Sequence, residues 1–486
     1  MRTLLAVPVL VVCLAVPGLW AQSPGAADAG AATGTAAPAA ASGAGSADQG
    51  AASDENDFFG SAAVEAPQGA AEKTGVAESV ENEHVGLSGQ LQATSTYSVG
   101  RTYLQGSGNL ADNSFANVVG GDFLVDMRLQ KGFKAFLDLN IGYVPGGTPT
   151  THDFIVSSPI SLAGPIVASE NVATALLVKE VFIDFNVANT VYFRAGKQVL
   201  KWGTGYFWNP SDLINIEHRS FTNLNALLDG VFGLRTDVVF APWWHLYTFT
   251  NLNEVTGSNV WDTAFAARSE FLAGSTEFAV SSWLKSGKVP VFGGDVSTPL
   301  PLDWWAKDGK TLNLTAEGTI SYGDIQDKFD PVTGPYAVTN RFVPKLDVGL
   351  SRSFDVLNVS DRLMVQVEFF YNGDGYDQDM FGLLASNPMK LAAFTSGFFQ
   401  SGCYGQYYAA AFVTVSDFGT TNMTLSLSGI ANLSDSSGTA LAGFSWSPVN
   451  NFTLALQLGS YLGPVEREYT FSGSSLLAIL TATVNF

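Results

Sequence analysis

The chain has 486 residues and a formal net charge of −20, from 24 Lys+Arg against 44 Asp+Glu, which argues against nucleic acid as a partner. Apolar residues make up 46% and charged residues only 14%, below the roughly 25% charged of ordinary soluble domains. No run of about 18 consecutive apolar residues follows the N-terminal region, so helical membrane spans are not expected, whereas a barrel that spreads its apolar residues over alternate positions is.

In chain order, Arg2 and the apolar run 4–16, followed by Pro17-Gly18-Leu19-Trp20-Ala21, have the form of a secretory signal with cleavage after Ala21. Its removal takes Cys13 and leaves Cys403 alone, so no intrachain disulfide is expected. Residues 22–83 are rich in Ala, Gly and Ser and carry ten acidic residues and one basic one, Lys73. Apart from Phe58-Phe59 they offer almost nothing to bury, and a disordered leader is expected because ordering entropy has nothing to offset it.

From Val85 the pattern becomes period two, as in strands with one face in lipid. Leu87, Leu91, Ala93 and Tyr97 alternate with Ser88, Gln90, Gln92 and Thr94. Phe123, Val125 and Met127 alternate with Asp122, Asp126 and Arg128; Leu137, Leu139 and Ile141 with Asp138 and Asn140. Leu363, Val365, Val367 and Phe369 alternate with Arg362, Gln366 and Glu368; Leu454, Leu456 and Leu458 with Thr453 and Gln457.

Short connections (130–132, 188–190, 241–244, 418–420, 447–451) alternate with long ones (144–172, 203–231, 323–341, 373–403), the asymmetry of short periplasmic turns and long external loops. A weak strand near 288–296 completes the order. Residues 84–486 are therefore expected to form an all-β, transmembrane antiparallel β-barrel of about 18 strands, with 16 as the alternative. Trp243-Trp244 and Trp304-Trp305 fall at turns, where amphipathic rings favour the headgroup level.

The sharpest local feature is 191–212, with Arg194, Gly196, Lys197, Gln198, Lys201, Trp202, Gly203 and then Asn209-Pro210-Ser211-Asp212. It resembles the strand-and-loop signature of porin-like barrels related to alginate-export channels, where Gly-Arg/Lys-Gln precedes an aromatic and Gly. The resemblance implies a solute channel whose next segment folds toward the lumen. It covers about 30 residues, and Lys197 stands where relatives often have Arg, which weakens any bidentate anion grip.

From the residues themselves, Gly196 marks a bulge or a close backbone approach. Lys197 falls on the lipid-side parity unless that bulge exists, and Ser211 or Asp212 could cap a helix over 213–216. The expected constriction comprises Arg194, Gln198, Lys201, Asp212, Glu217, His218 and Arg219. The inward parity elsewhere adds Arg128, Asp126, Arg235, Asp237, Arg268, Glu270, Arg362 and Glu368, together with Glu180, Asp184 and Glu317. Their acidic excess suggests mild cation preference.

The chain ends on alternating Leu476, Ala478, Leu480, Ala482 and Val484 before Phe486. This ending resembles the C-terminal signal read by the bacterial outer-membrane assembly machinery. The four histidines are scattered without metal-ligand spacing, and no catalytic elbow, phosphate loop or dinucleotide fingerprint occurs. Neither cofactor nor enzymatic activity is expected. The expected partners are membrane lipid, the assembly machinery and small solutes. A channel for small hydrophilic solutes in the outer membrane is the leading reading. The alternatives are a gated carrier of hydrophobic molecules, resembling fatty-acid transport barrels and using apolar loops 154–167 and 389–399, and a surface adhesin.

Overall fold

The computed structural model describes residues 85–106, 113–128, 132–143, 151–155, 167–171, 174–200, 202–214, 230–252, 263–301, 310–325, 327–357, 359–396, 403–418, 422–471 and 473–486. The signal and leader expected over 1–83, Lys201, Glu217, His218, Arg219 and the Trp304-Trp305 pair lie outside the described residues.

Eighteen antiparallel strands form one closed sheet whose ring order follows the chain. They are β1 (Val85–Gly100), β2 (Ser114–Arg128), β3 (Lys134–Tyr143), β6 (Thr174–Val187), β7 (Val191–Gln198), β8 (Val231–Ala241), β9 (Trp244–Asn251), β10 (Ala264–Ala273) and β11 (Thr276–Lys285), followed by β12 (Val291–Pro301), β13 (Thr311–Tyr322), β16 (Phe342–Val356), β17 (Val359–Asn372), β18 (Tyr407–Val415), β19 (Met423–Asn432), β20 (Ser437–Val449), β21 (Phe452–Leu462) and β22 (Ser474–Asn485). Two small ribbons, β4 (Thr151–Ile155) with β5 (Val167–Asn171) and β14 (Lys328–Asp330) with β15 (Gly334–Tyr336), belong to long loops. So do α2 (Met380–Leu384) and α3 (Pro388–Ser396); α1 (Arg101–Leu104) follows β1.

The ring closes where β22 pairs with β1, from Gln90↔Asn485 to Gly100↔Ser474. Gly89 and Phe486 exchange both backbone hydrogen bonds, at 2.9 and 3.0 Å. A Cβ on Gly89 would sit 2.8 Å from Phe486 Cζ, so the glycine makes room for the final ring, which lies 5.8 Å from Phe123. Closure leaves the sheet without an edge strand, as a barrel in hydrocarbon requires.

The expected parity holds around the wall. On β22, Leu476, Leu480 and Val484 are exposed while Thr481 and Thr483 are buried inward; on β17, Val367 and Phe369 face out and Gln366 and Glu368 face in. Aromatic rows flank the apolar band. At the short-turn end Phe240, Trp244, Phe271 and Phe278 stack in succession at 4.3, 6.0 and 5.2 Å. At the long-loop end Tyr322 meets Phe342 at 5.1 Å and Tyr371 meets Tyr407 at 5.4 Å.

Two details differ from expectation. The weak strand lies at Val291–Pro301 rather than 288–296, with Pro299 and Pro301 inside it. Pairing with β11 stops at Ser297 while pairing with β13 runs on to Pro301, so the prolines occupy a stretch with one free flank, where a missing N–H costs no ladder bond. The turn expected over 447–451 is shorter, since β20 reaches Val449 and Asn451 adopts φ 67°.

On the outward row of β21, Leu456→Arg should destabilise the barrel by roughly 2–4 kcal/mol. Thr453→Arg, on the inward row, should not. The heat-dependent gel shift of folded barrel checks this; equal yields of the two variants would contradict the facing assignment.

Candidate functional site

A bulge in β6 sets the site. Lys179 and Glu180 are successive yet both buried inward, because β6 slips register against β3 between Asp138 and Leu139. Both ends of segment 199–230 fasten to this bulge. Val199 N donates to Glu180 Oε1 at 2.6 Å and Gly230 N donates to the Lys179 carbonyl at 3.0 Å. Gln198, wholly buried, donates from Nε2 to the Arg194 carbonyl at 3.2 Å and lies 3.4 Å from the Gly233 carbonyl, tying β7 to β8.

From there 202–214 crosses the lumen. Trp202 and Ile214 pack with Val231, Phe249 and Ala266 on the β8–β10 side. Between them the chain reaches the far wall at β13 and β17, the latter eight strands round the ring from β7 and so nearly opposite it. Two wall carboxylates hold it there by its own backbone amides. Glu317 Oε2 accepts from Thr204 N (2.7 Å) and Gly205 N (3.2 Å), and Oε1 accepts from Ser211 N and Oγ, both at 2.8 Å. Glu368 accepts from Tyr206 N and, at 2.9 Å, from Phe207 N.

Gly205 is required by proximity: a Cβ there would overlap the Trp208 carbonyl oxygen and lie 2.9 Å from Asp347 Oδ2. Trp208 stacks on Phe370 at 5.4 Å and 17°, and Tyr206 meets Phe412 edge-on at 4.8 Å. The segment thus occupies the β17–β22 side of the lumen with aromatic rings.

The β2–β12 side is ionic. Arg194 donates to both oxygens of Asp184 at 2.6 and 2.9 Å, both side chains fully buried, and its guanidinium lies 3.9 Å from the Phe182 ring centroid. Arg235 pairs in register with Arg194 and faces Tyr247 at 5.3 Å. His245 Nδ1 lies 3.7 Å from Asp237. Arg268 clasps Asp295, with Nη2 to Oδ1 at 3.0 Å, and contacts Glu270 at 3.3 Å. Lys134 reaches Asp126 and Lys179 reaches Asp122, each at 3.3 Å.

The candidates therefore separate. Arg194, Asp237, Arg268 and Glu368 sit buried on the inner wall, with Glu270 half-buried beside them. Arg128, whose side chain is 72% exposed, sits at the mouth, 3.8 Å from Asp126. Asp212 is buried at a turn in which its N–H donates to Asn209 O at 3.1 Å. Ser211 caps no helix among the described residues; its hydroxyl goes to Glu317.

Gly196, at φ 138°, is a close approach and not a bulge: a Cβ would lie 2.7 Å from Phe182 Cα, and β6–β7 register runs through unbroken. Lys197 consequently stays on the outward row, donating to Val178 O at 2.8 Å.

Above the segment, long loops pack on one another. Phe329, Tyr376, Met380, Phe381, Leu384, Phe394 and Tyr404 form a separate buried cluster, so Met380, Phe381 and Leu384 of α2, and Phe394 of α3, are used internally, while Leu383 is exposed. Among the described residues, no three His, Cys, Asp or Glu side chains are placed to hold a metal.

No protein-family model and no curated protein matches this sequence. Solved structures do match. OccAB1 of Acinetobacter baumannii has a TM-score of 0.50 at 10% identity over 87% of this chain and 99% of its own. OccK9 (OpdG) of Pseudomonas aeruginosa has 0.52 at 9% over 83% and 98%, and OccK8 (OprE) of the same organism 0.51 at 8% over 83% and 98%. The likeness is one of fold, and it spans almost the whole of those barrels.

Glu317→Ala strips four hydrogen bonds from the segment and should raise single-channel conductance and open-channel noise; an unchanged trace would show that the Glu317 bonds are not needed to hold the segment. Arg194→Leu leaves Asp184 buried and unpaired and should cost about 3–5 kcal/mol, most of it recovered by the double change with Asp184→Leu, as read by thermal unfolding in detergent.

Proposed function

We propose that this protein is a porin-like channel of the bacterial outer membrane, through which small hydrophilic solutes pass down their own gradient. The observation that carries this reading is the inserted segment 202–214, pinned across a closed barrel whose outside is apolar and whose inside is ion-paired. A strand-spanned wall of this kind suits lipid on one face and water on the other. A segment fastened by its main chain narrows the path without sealing it chemically, and size and charge then decide what passes.

The short-turn end faces the periplasm and the long loops face outward, following the usual asymmetry of such barrels. Phe486 serves the assembly machinery as the terminal aromatic. Its seat over Gly89 and beside Phe123 supports a second role in sealing the seam. A constriction made of the 203–231 segment and Arg194, with the wall charges around it, is the reading that the anchoring bonds favour. Carboxylates outnumber cations on the β2–β12 wall, where Asp122, Asp126, Asp138, Glu180, Asp184, Asp237, Glu270 and Asp295 stand against Arg128, Lys134, Lys179, Arg194, Arg235 and Arg268. Facing rows of both signs orient water in the path, and the acidic excess favours cations. Capture of a greasy ligand by 389–399 is disfavoured because Phe394 is already enclosed by Tyr376, Phe381 and Tyr404.

Planar-bilayer recording of the refolded barrel tests the proposal. Wild type should conduct, with a reversal potential favouring cations in a salt gradient, and deletion of 206–226 should enlarge the conductance. Equal conductance after the deletion would refute the constriction. An anion-selective reversal potential would refute the charge argument.

A further inference from the structure

Loop 463–473 turns inward above the inserted segment, and Glu468 on it is 4% exposed. Its Oε2 accepts from the Tyr408 hydroxyl at 2.7 Å and from Asn432 Nδ2 at 2.6 Å, so one carboxyl ties the loop to β18 and β19. Asp435 fastens the same residue by its backbone: Oδ2 accepts from Glu468 N at 2.9 Å, while Oδ1 accepts from Ser437 N and Oγ at 2.9 and 2.6 Å. The Tyr408 ring stands 5.8 Å from Trp208, and Tyr469 belongs to the same buried cluster. Glu468 is therefore one side chain removed from the constriction.

We propose that Glu468 is a proton-operated bolt: neutral, it holds loop 463–473 down over the Trp208 side of the lumen and keeps the constriction narrow, and its ionisation frees the loop while Glu317 and Glu368 still hold the segment. The proposal rests on the channel reading above. Burial and the neighbouring Asp435 disfavour charge on the carboxyl, against the donors Tyr408, Asn432 and the Tyr404 backbone, which favour it. Tyr408 comes from β18, Asn432 from β19, Ser437 from β20, Asp435 from the intervening turn, and Cys403 and Tyr404 from the loop before β18. None is a cation, Asp435 is itself acidic, and the neighbouring Arg467 is engaged by Asp379 on the loop that carries α2.

Burial, and after it the charge of Asp435, pushes the Glu468 carboxyl up from 4.5 to about 8. In the released loop the carboxyl is hydrated and returns to its ordinary value. The closed arrangement binds the extra proton, so its stability is complete at low pH and falls by up to about tenfold per pH unit as pH rises from the ordinary value toward the raised one. Above that no further loss follows.

The experiment is single-channel recording of wild type and Glu468→Gln at about pH 6 and about pH 9. Wild type should show larger or noisier openings at the higher pH; Glu468→Gln, which stays neutral, should hold the lower conductance at both. A Glu468→Gln channel that keeps the wild-type rise, or a wild-type channel flat across the range, overturns the bolt. A second readout needs neither the variant nor conduction: tryptic cleavage after Arg467 in the wild-type barrel, taken relative to cleavage after exposed Lys288, should increase with pH. No relative increase overturns the proposal. A barrel that does not conduct at all but still shows the increase would defeat the channel reading and leave the bolt standing.

Discussion

In hydrocarbon an unpaired peptide group costs several kcal/mol, and no water is at hand to relieve it. A sheet can meet that condition only by having no edge. Here the condition is met where β22 returns to β1, over Gln90↔Asn485 through Gly100↔Ser474, and by the exchange of backbone bonds between Gly89 and Phe486. Parity follows from closure, since one row of every strand must then face acyl chains and the other must face whatever fills the cylinder. Charges on the inner row are largely shielded from bulk water, and they meet that situation by pairing, as Arg194 does with Asp184 and Arg268 with Asp295.

The same shielding gives the far wall its role. Glu317 and Glu368 hold the segment by accepting from the amides of residues 204–207 and from Ser211. Carboxylates that accept several N–H bonds are strong anchors, because each bond is charge-assisted. The ring packing of Trp208 on Phe370 and of Tyr206 on Phe412 then fixes the side of the lumen that the segment fills.

The barrel was legible in the sequence because period-two hydrophobicity reports directly on a wall between lipid and water, and the rows of β17, β21 and β22 fall where the alternation places them. The strand containing Pro299 and Pro301 was displaced in the reading because proline breaks that signal; only the one-sided pairing of β12 explains its tolerance. The bulge at Lys179 and Glu180 carries a visible sign, two adjacent charges interrupting an alternating run, and it went unread. The anchoring by Glu317 and Glu368 carries none, since their partners are main-chain amides more than a hundred residues away. Whether Lys197 faced in or out hinged on the backbone at Gly196, and only the unbroken β6–β7 register decides it.

Fastening by the main chain separates two jobs that are usually entangled. The amides of 204–207 are present whatever side chains those positions carry, so apart from Gly203, Gly205 and Ser211 the grip does not read residue identity. Tyr206 and Phe207 could be exchanged for other residues without unhooking the strap. If the barrel conducts as proposed, such an arrangement is a replaceable filter in a fixed frame: changing a few letters would alter what the opening admits, while the eighteen-stranded frame around it goes on folding as before.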